Sequence, residues 1–220
     1  MHTWIWVSWC GLLLVGILLG TRLAMAETGA SPAAGAAPAA AASATATSTS
    51  PARELAVPTT IPGVGNFAKV SDVLYRGEQP TAEGMKELKK LGIKTVVNLR
   101  DFHSDRGELK GTGLQYFHIR CAAWNPEEED VGAFLKILSD PANQPVFVHC
   151  WQGSDRTGMM VLSYRVTEQG WPVADAIKEL PNFGFHPVWK SISEYVEKFD
   201  AARVKKKVAE ASPIKVEKVE

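Results

Sequence analysis

Residues 146–162 constrain this chain more than any other stretch. Val146-Phe147-Val148 leads into His149-Cys150-Trp151-Gln152-Gly153-Ser154-Asp155-Arg156-Thr157-Gly158, and Met159-Met160-Val161-Leu162 leads out. A short apolar run, a polar loop containing glycine, and a second apolar run predict strand, tight loop and helix. Such a loop turns its backbone N–H groups inward at the positive end of the following helix, a geometry that binds an oxyanion. A cysteine at its base ionises more readily, because the field that holds phosphate also stabilises thiolate. Arg156, separated from Cys150 by five residues, closes the loop with a planar fork that matches two phosphate oxygens.

The surrounding pattern predicts the scaffold. Short strands are expected over 66–70 and 73–76, joined at Ser71-Asp72. Thr81 caps a helix reaching Leu91, with Met85, Leu88 and Leu91 on one buried face, and Gly92 ends it. Buried strands follow over 95–99 and 114–119, separated by a polar segment with one short helix. Asn125 as N-cap, Pro126 at the first helical position and the acids behind them start a helix running to Leu138. Residues 146–149 form the strand feeding the loop, and helices are expected over 157–169, 173–180 and 188–199. This alternation predicts an α/β domain with a central, mostly parallel sheet flanked by helices. The loop then lies at a strand's carboxyl end, where open α/β sheets bind ligands.

The ends of the 220-residue chain read differently. Residues 4–19 are the most apolar stretch, and Ala24-Met25-Ala26 before Glu27 is a small-x-small cleavage pattern. Residues 1–26 are expected to be a secretory signal peptide, with a membrane anchor as the alternative, which places the protein outside the cytoplasm, in a periplasm. Cys10, inside the apolar run behind bulky Trp9, is a poor lipidation site. Residues 27–57 are a linker rich in Ala, Pro, Ser and Thr, too poor in large apolar residues to build a core. The folded domain is expected over 58–200, and 201–220 as a charged, solvated tail, with a frayed helix as the alternative. Formal net charge is zero, so composition makes no case for nucleic acid as a partner.

His149, Cys150, Gly153, Arg156, Thr157 and Gly158 resemble the His-Cys-x5-Arg-Ser/Thr signature of the cysteine-based protein tyrosine phosphatases. The catalytic region is similar to their dual-specificity branch, over roughly residues 66–200. The resemblance implies that family's α/β fold and a set of roles. Cys150 attacks phosphorus and forms a phosphocysteine. Arg156 holds two equatorial oxygens. His149 orients the loop and helps keep the thiol ionised, and Thr157 hydrogen-bonds the sulfur as water attacks the intermediate. Gly153 supplies a backbone angle that other residues resist, and Gly158 lets the helix start pack closely. Trp151, Gln152 and Ser154 complete the phosphate and substrate contacts. None of this needs a metal or other cofactor.

The general acid is less obvious. In this family an Asp usually stands between the preceding strand and helix, yet Cys121-Ala122-Ala123-Trp124-Asn125-Pro126 contains no acid. Two sources remain. Asp155 precedes Arg156, as in myotubularin-type phosphatases, and repulsion from a bound phosphate dianion favours its protonated form. Glu127, Glu128, Glu129 and Asp130 follow the loop, with Glu127 the best placed and complementarity to the helix dipole as their plainer role. Arg100-Asp101 ends a strand on the same expected edge as Cys150 and is a candidate for the cleft. Arg76, His103 and Asp105 are polar residues without an assigned role, and His186 is expected to be structural.

The loop's variable positions, Trp151, Gln152, Ser154 and Asp155, carry no cation. That favours a monophosphate ester over a polyphosphorylated ligand. The expected substrate is phosphotyrosine, with phosphoserine or phosphothreonine beside it, on a protein that is itself exported or membrane-associated. A phosphoinositide or small-molecule phosphatase is the alternative within enzymes, and a non-catalytic phosphate-binding module the alternative outside them. After cleavage only Cys121 and Cys150 remain, either as a reversible disulfide protecting the nucleophile or with Cys121 as a small buried hydrophobe.

Overall fold

Strand β6 (Val146–His149) lies at the centre of the sheet in the computed structural model, which describes residues 53–212, 215–217 and 219. The other strands are β1 (Thr59–Ile61), β2 (Val64–Lys69), β3 (Leu74–Gly77), β4 (Thr95–Asn98) and β5 (Gln115–His118). Their spatial order is β1-β2-β3-β6-β4-β5. The β1–β2 and β2–β3 pairs are antiparallel, and β3, β6, β4 and β5 run parallel. This is the expected mostly parallel sheet. Every residue of β4 and β6 is buried, as a strand covered on both faces requires.

The helices are α1 (Ala82–Lys90), α2 (Arg106–Leu109), α3 (Glu128–Ser139), α4 (Asp155–Thr167), α5 (Val173–Ile177), α6 (Lys190–Glu197) and α7 (Ala201–Glu210). Two apolar clusters cover the two faces of the sheet. Val96, Tyr116 and Phe147 face Met85 and Leu88 of α1. Val97, Phe117, Val146 and Val148 face α3, α4, α6 and α7. Helix α4 is buried almost all round, because it lies behind the loop and beneath its neighbours.

Several boundaries differ from expectation. Thr81 caps α1 by accepting from Gly84 N, but Leu91 is 52 % exposed and not part of the buried face. Helix α3 begins two residues after Pro126, with Glu127 as its N-cap. Asn125 instead pairs with Ala122 in a tight turn, and its amide donates to Glu127 Oε1 at 2.8 Å. The helix expected over 173–180 breaks after Ile177, and a 3-10 turn, Leu180–Phe183, carries Pro181 in its first positions.

The edges of the folded part also move. Ala56 is buried and donates its N–H to Glu179, so the ordered chain starts before residue 58. Residues 201–210 are not a solvated tail but helix α7, capped by Asp200, with Val204 fully buried. Arg203 pairs with Glu128 and Lys207 with Glu129, so α7 is tied to α3. The alternating charges of α7 hid a stripe of Ala201, Val204 and Val208 at helical spacing. The proposed signal sequence and most of the linker lie outside the described residues.

Candidate active site

The loop after β6 carries Cys150 to the floor of a cavity of about 270 Å³. Trp151, Gln152, Asp155 and Arg156 of the loop line it, with Ala123 and Trp189 across from them. Cys150 is nearly fully buried, whereas Trp151 and Trp189 are 63 % and 41 % exposed and form the rim. Arg156 reaches across the cleft, where its Nη1 donates to Leu99 O at 3.2 Å and Cys121 O at 3.3 Å. Those carbonyls follow β4 and β5, so the sheet's carboxyl edge orients the guanidinium. Arg100, expected as a cleft residue, stacks its guanidinium 4.3 Å from the Trp151 ring and donates to Gln79 Oε1. Asp101 makes no hydrogen bond or ion pair among the described residues.

The remaining loop residues act through the backbone. Gly153 has φ of 69°, a left-handed conformation that L side chains resist. Gly158 packs so closely on Leu180 that an added Cβ would come within 2.9 Å of it. Ser154 is buried beneath the loop, where its hydroxyl donates to Gln152 O, and does not line the cavity. Thr157 Oγ1 is buried and makes no hydrogen bond among the described residues, so the bond to the Cys150 sulfur that the resemblance implies is not formed.

Two charged groups under the loop were unassigned from sequence. Arg76 of β3 is fully buried, donates to Gly153 O at 2.7 Å and lies 3.6 Å over the Phe183 ring. Burial pulls its guanidinium down to about 10, with Glu179 and Cys150 pulling the other way. Asp105, also fully buried, accepts from His149 Nε2 at 2.7 Å, Gln79 Nε2 at 2.9 Å and Asn98 Nδ2 at 3.0 Å. The two-residue period of β3 places Arg76 on the face of buried Leu74, a signal available in the sequence. For Asp105 there is none, because its partners come from three separate segments.

The acid candidates separate by position. Asp155 stands in the first turn of α4 and lines the cavity. His186 holds it, donating its backbone N–H to Oδ1 at 2.7 Å and facing Oδ2 with ring Nδ1 at 3.1 Å. His186 thus anchors the segment that carries Trp189. Glu127, Glu128 and Glu129 are occupied by Asn125, Arg203 and Lys207 respectively. Asp130 is half-buried beside Cys121, and burial pushes its carboxyl up to about 6. Cys121 and Cys150 are both free thiols. Burial, reinforced by Asp130, pushes the Cys121 thiol up and keeps it protonated.

Comparisons with known proteins find phosphatases similar to this chain in sequence and fold. Residues 64–188 match the protein family described as "DSP-PTPase phosphatase fused to NAD+ Kinase". The chain is 30 % identical over 185 residues to the dual specificity protein phosphatase TpbA of Pseudomonas aeruginosa, covering 81 % of this chain and 74 % of that protein. It is 28 % identical over 145 residues to the inositol diphosphatase DSP2 of Oryza sativa subsp. japonica, covering 62 % and 71 %. Its fold is similar to a crystal structure of P. aeruginosa TpbA in complex with pTyr, with TM-score 0.62 and 28 % identity, covering 73 % of this chain and 98 % of the other.

Proposed function

Because the chain belongs to the cysteine-based, dual-specificity-type protein tyrosine phosphatases, we propose that it dephosphorylates phosphotyrosine in proteins through a phosphocysteine on Cys150. The observation that carries this reading is the cavity: Cys150 on its floor, Arg156 beside it, and Trp151 and Trp189 as exposed walls. Flat indole walls suit the phenyl ring of phosphotyrosine. Phosphoserine and phosphothreonine offer no ring to use them. The pTyr bound by TpbA, a relative, supports the same choice.

The Cys150 thiolate attacks phosphorus while the tyrosine oxygen leaves. Loop N–H groups and the Arg156 fork hold the equatorial oxygens, whose charge they are oriented to meet before the reaction starts. Asp155, the acid that lines the cavity, protonates the leaving oxygen. Water then attacks the phosphocysteine, releasing phosphate and the Cys150 thiolate. Trp151 and Gln152 contact the substrate, while Gly153, Ser154 and Gly158 shape the loop. Steady-state turnover of a phosphotyrosyl peptide tests this, with Cys150→Ser as control. Turnover that survives Cys150→Ser refutes the mechanism. Asp155→Asn is expected to lose turnover most on esters of high leaving-group pKa, and unchanged turnover on those esters removes Asp155 as the acid.

A second reading, hydrolysis of an inositol diphosphate, is favoured by the inositol diphosphatases among the relatives. The absence of a cation at the loop's variable positions weighs against it. Comparing kcat/KM for the two substrates decides between them. We also infer export from residues 4–19 and Ala24-Met25-Ala26. The mature protein's N-terminus is then Glu27, a result that mass spectrometry of the exported protein checks.

A further inference from the structure

We propose that Asp105 is a positioning residue for catalysis, holding His149 doubly protonated behind the nucleophile so that ionisation of Cys150 depends on this buried carboxylate. The proposal rests on Cys150 being the nucleophile. His149 is fully buried at the end of β6, directly before Cys150. Its Nε2 lies 2.7 Å from Asp105 Oδ2 and its Nδ1 3.2 Å from Cys150 O. Both partners are acceptors. A neutral imidazole has one N–H and satisfies only one of them, whereas the imidazolium satisfies both.

Asp105 is poorly placed to be the donor instead. Its other oxygen already accepts from Gln79 Nε2 and Asn98 Nδ2, and its own backbone N–H is spent on Tyr116 Oη at 3.1 Å. A carboxylate receiving three donors is held ionised. Burial works against that charge, but His149, Gln79 and His103 together keep the Asp105 carboxyl below its ordinary range. The sheet builds this seat, because Asn98 of β4 stands opposite His149 in the parallel register and Tyr116 comes from β5. Gln79 extends the chain outward through Arg100 to the Trp151 rim. The Nδ1 side of the His149 ring meets the Cys150 carbonyl and the Nε2 side meets Asp105, so the positive charge of the imidazolium sits next to the nucleophile's own backbone.

Other charged groups lie around the loop and beside Asp105. Arg76 of β3, Arg100 after β4 and Arg156 of α4 are cations around the loop. On the far side of Asp105, His103 Nε2 lies 3.7 Å from Oδ1 and 3.8 Å from Glu108 Oε1. Because His103 stands against Asp105, the Asp105 substitution is read against a His103→Gln background as well as wild type.

Asp105→Asn in the full chain tests the idea. The amide keeps an acceptor for Gln79 and Asn98 but presents N–H to His149 Nε2, which must then give up its proton. The readouts are the ¹⁵N spectrum of the His149 ring, iodoacetamide alkylation of Cys150 against pH, and the pH profile of kcat/KM on an aryl phosphate. Expected are two protonated ring nitrogens in the wild type and one in the variant. The alkylation curve should move about one unit to higher pH, with kcat/KM about tenfold lower on the acidic limb and convergence with wild type on the alkaline side. A pH-independent loss of activity, an unmoved alkylation curve or a singly protonated His149 in the wild type overturns the proposal. The wild-type spectrum decides even if the variant does not fold. Alkylation needs no turnover, so absent Cys150-dependent turnover with a shifted alkylation curve refutes the phosphatase reading and not this one.

Discussion

Replacing Gly153 with alanine asks whether the backbone of the loop, more than its side chains, sets the geometry around Cys150. Two costs add. At φ of 69°, alanine bears the left-handed strain, roughly 1–2 kcal/mol. Its Cβ would also lie 2.5 Å from Gly77 C and 2.7 Å from Glu78 N, where ordinary contact begins at 3.4 Å. Those atoms are backbone, so the end of β3 and the loop must separate by about 1 Å, a displacement that costs about 10²-fold in rate. The separation reaches both ends of the loop, because Gly77 pairs with His149 in register and Gln79 N donates to Trp151 O at 3.1 Å. Expected are a kcat/KM on aryl phosphate lower by about 10²-fold and a stability lower by about 2–4 kcal/mol in urea unfolding. Gly170→Ala is the control. Its φ is 67° but nothing lies within 4 Å of the new Cβ, so it bears the strain alone and leaves kcat/KM unchanged. A Gly153→Ala enzyme within about threefold of wild type would refute the reasoning, since the displacement argument demands far more.

Other outcomes follow from the same structure. Glu179→Ala strands Arg165, whose side chain is 4 % exposed and bonds Glu179 at 2.9 and 3.2 Å. Urea unfolding should show a loss of about 3–5 kcal/mol, and a loss under about 1 kcal/mol would mean that water reaches the pair. Val204→Ala should cost about 2 kcal/mol with kcat/KM unchanged, and an effect near zero would mean that α7 does not dock on α3. Burial raises Asp130 to about 6, so its contribution to stability is present below the unfolded value near 3.8 and is lost as pH rises toward 6. Asp130→Asn should therefore gain stability relative to wild type between pH 4 and 7, and a constant difference across that range refutes it.

The family was legible in one run of residues, and the fold class in the alternation of strands and helices around it. A strand, an anion loop and a helix are local structures, and Cys150, Gly153, Arg156, Thr157 and Gly158 lie within them, so spacing alone brings them together. Thr81, Met85, Leu88 and Gly92 likewise announced α1 through cap and period. Where sequence reading missed, the competing signal was tertiary. Asn125 and Pro126 carry helix-start chemistry but were used by a turn, and Val204 looked like part of a solvated tail because its partner surface on α3 is remote in sequence.

What the sequence by itself determined is which groups can do chemistry: a thiol and a guanidinium on one short loop, whose variable positions carry no cation. What only the tertiary structure decided is which partners those groups meet and how they are aimed. Asp105 reaches His149, Leu99 and Cys121 aim Arg156, and His186 holds Asp155, each across dozens of residues. The physical reason is that a parallel sheet gathers the carboxyl ends of sequence-distant strands at one edge. Buried charges there find partners by position in space, which local pattern does not encode.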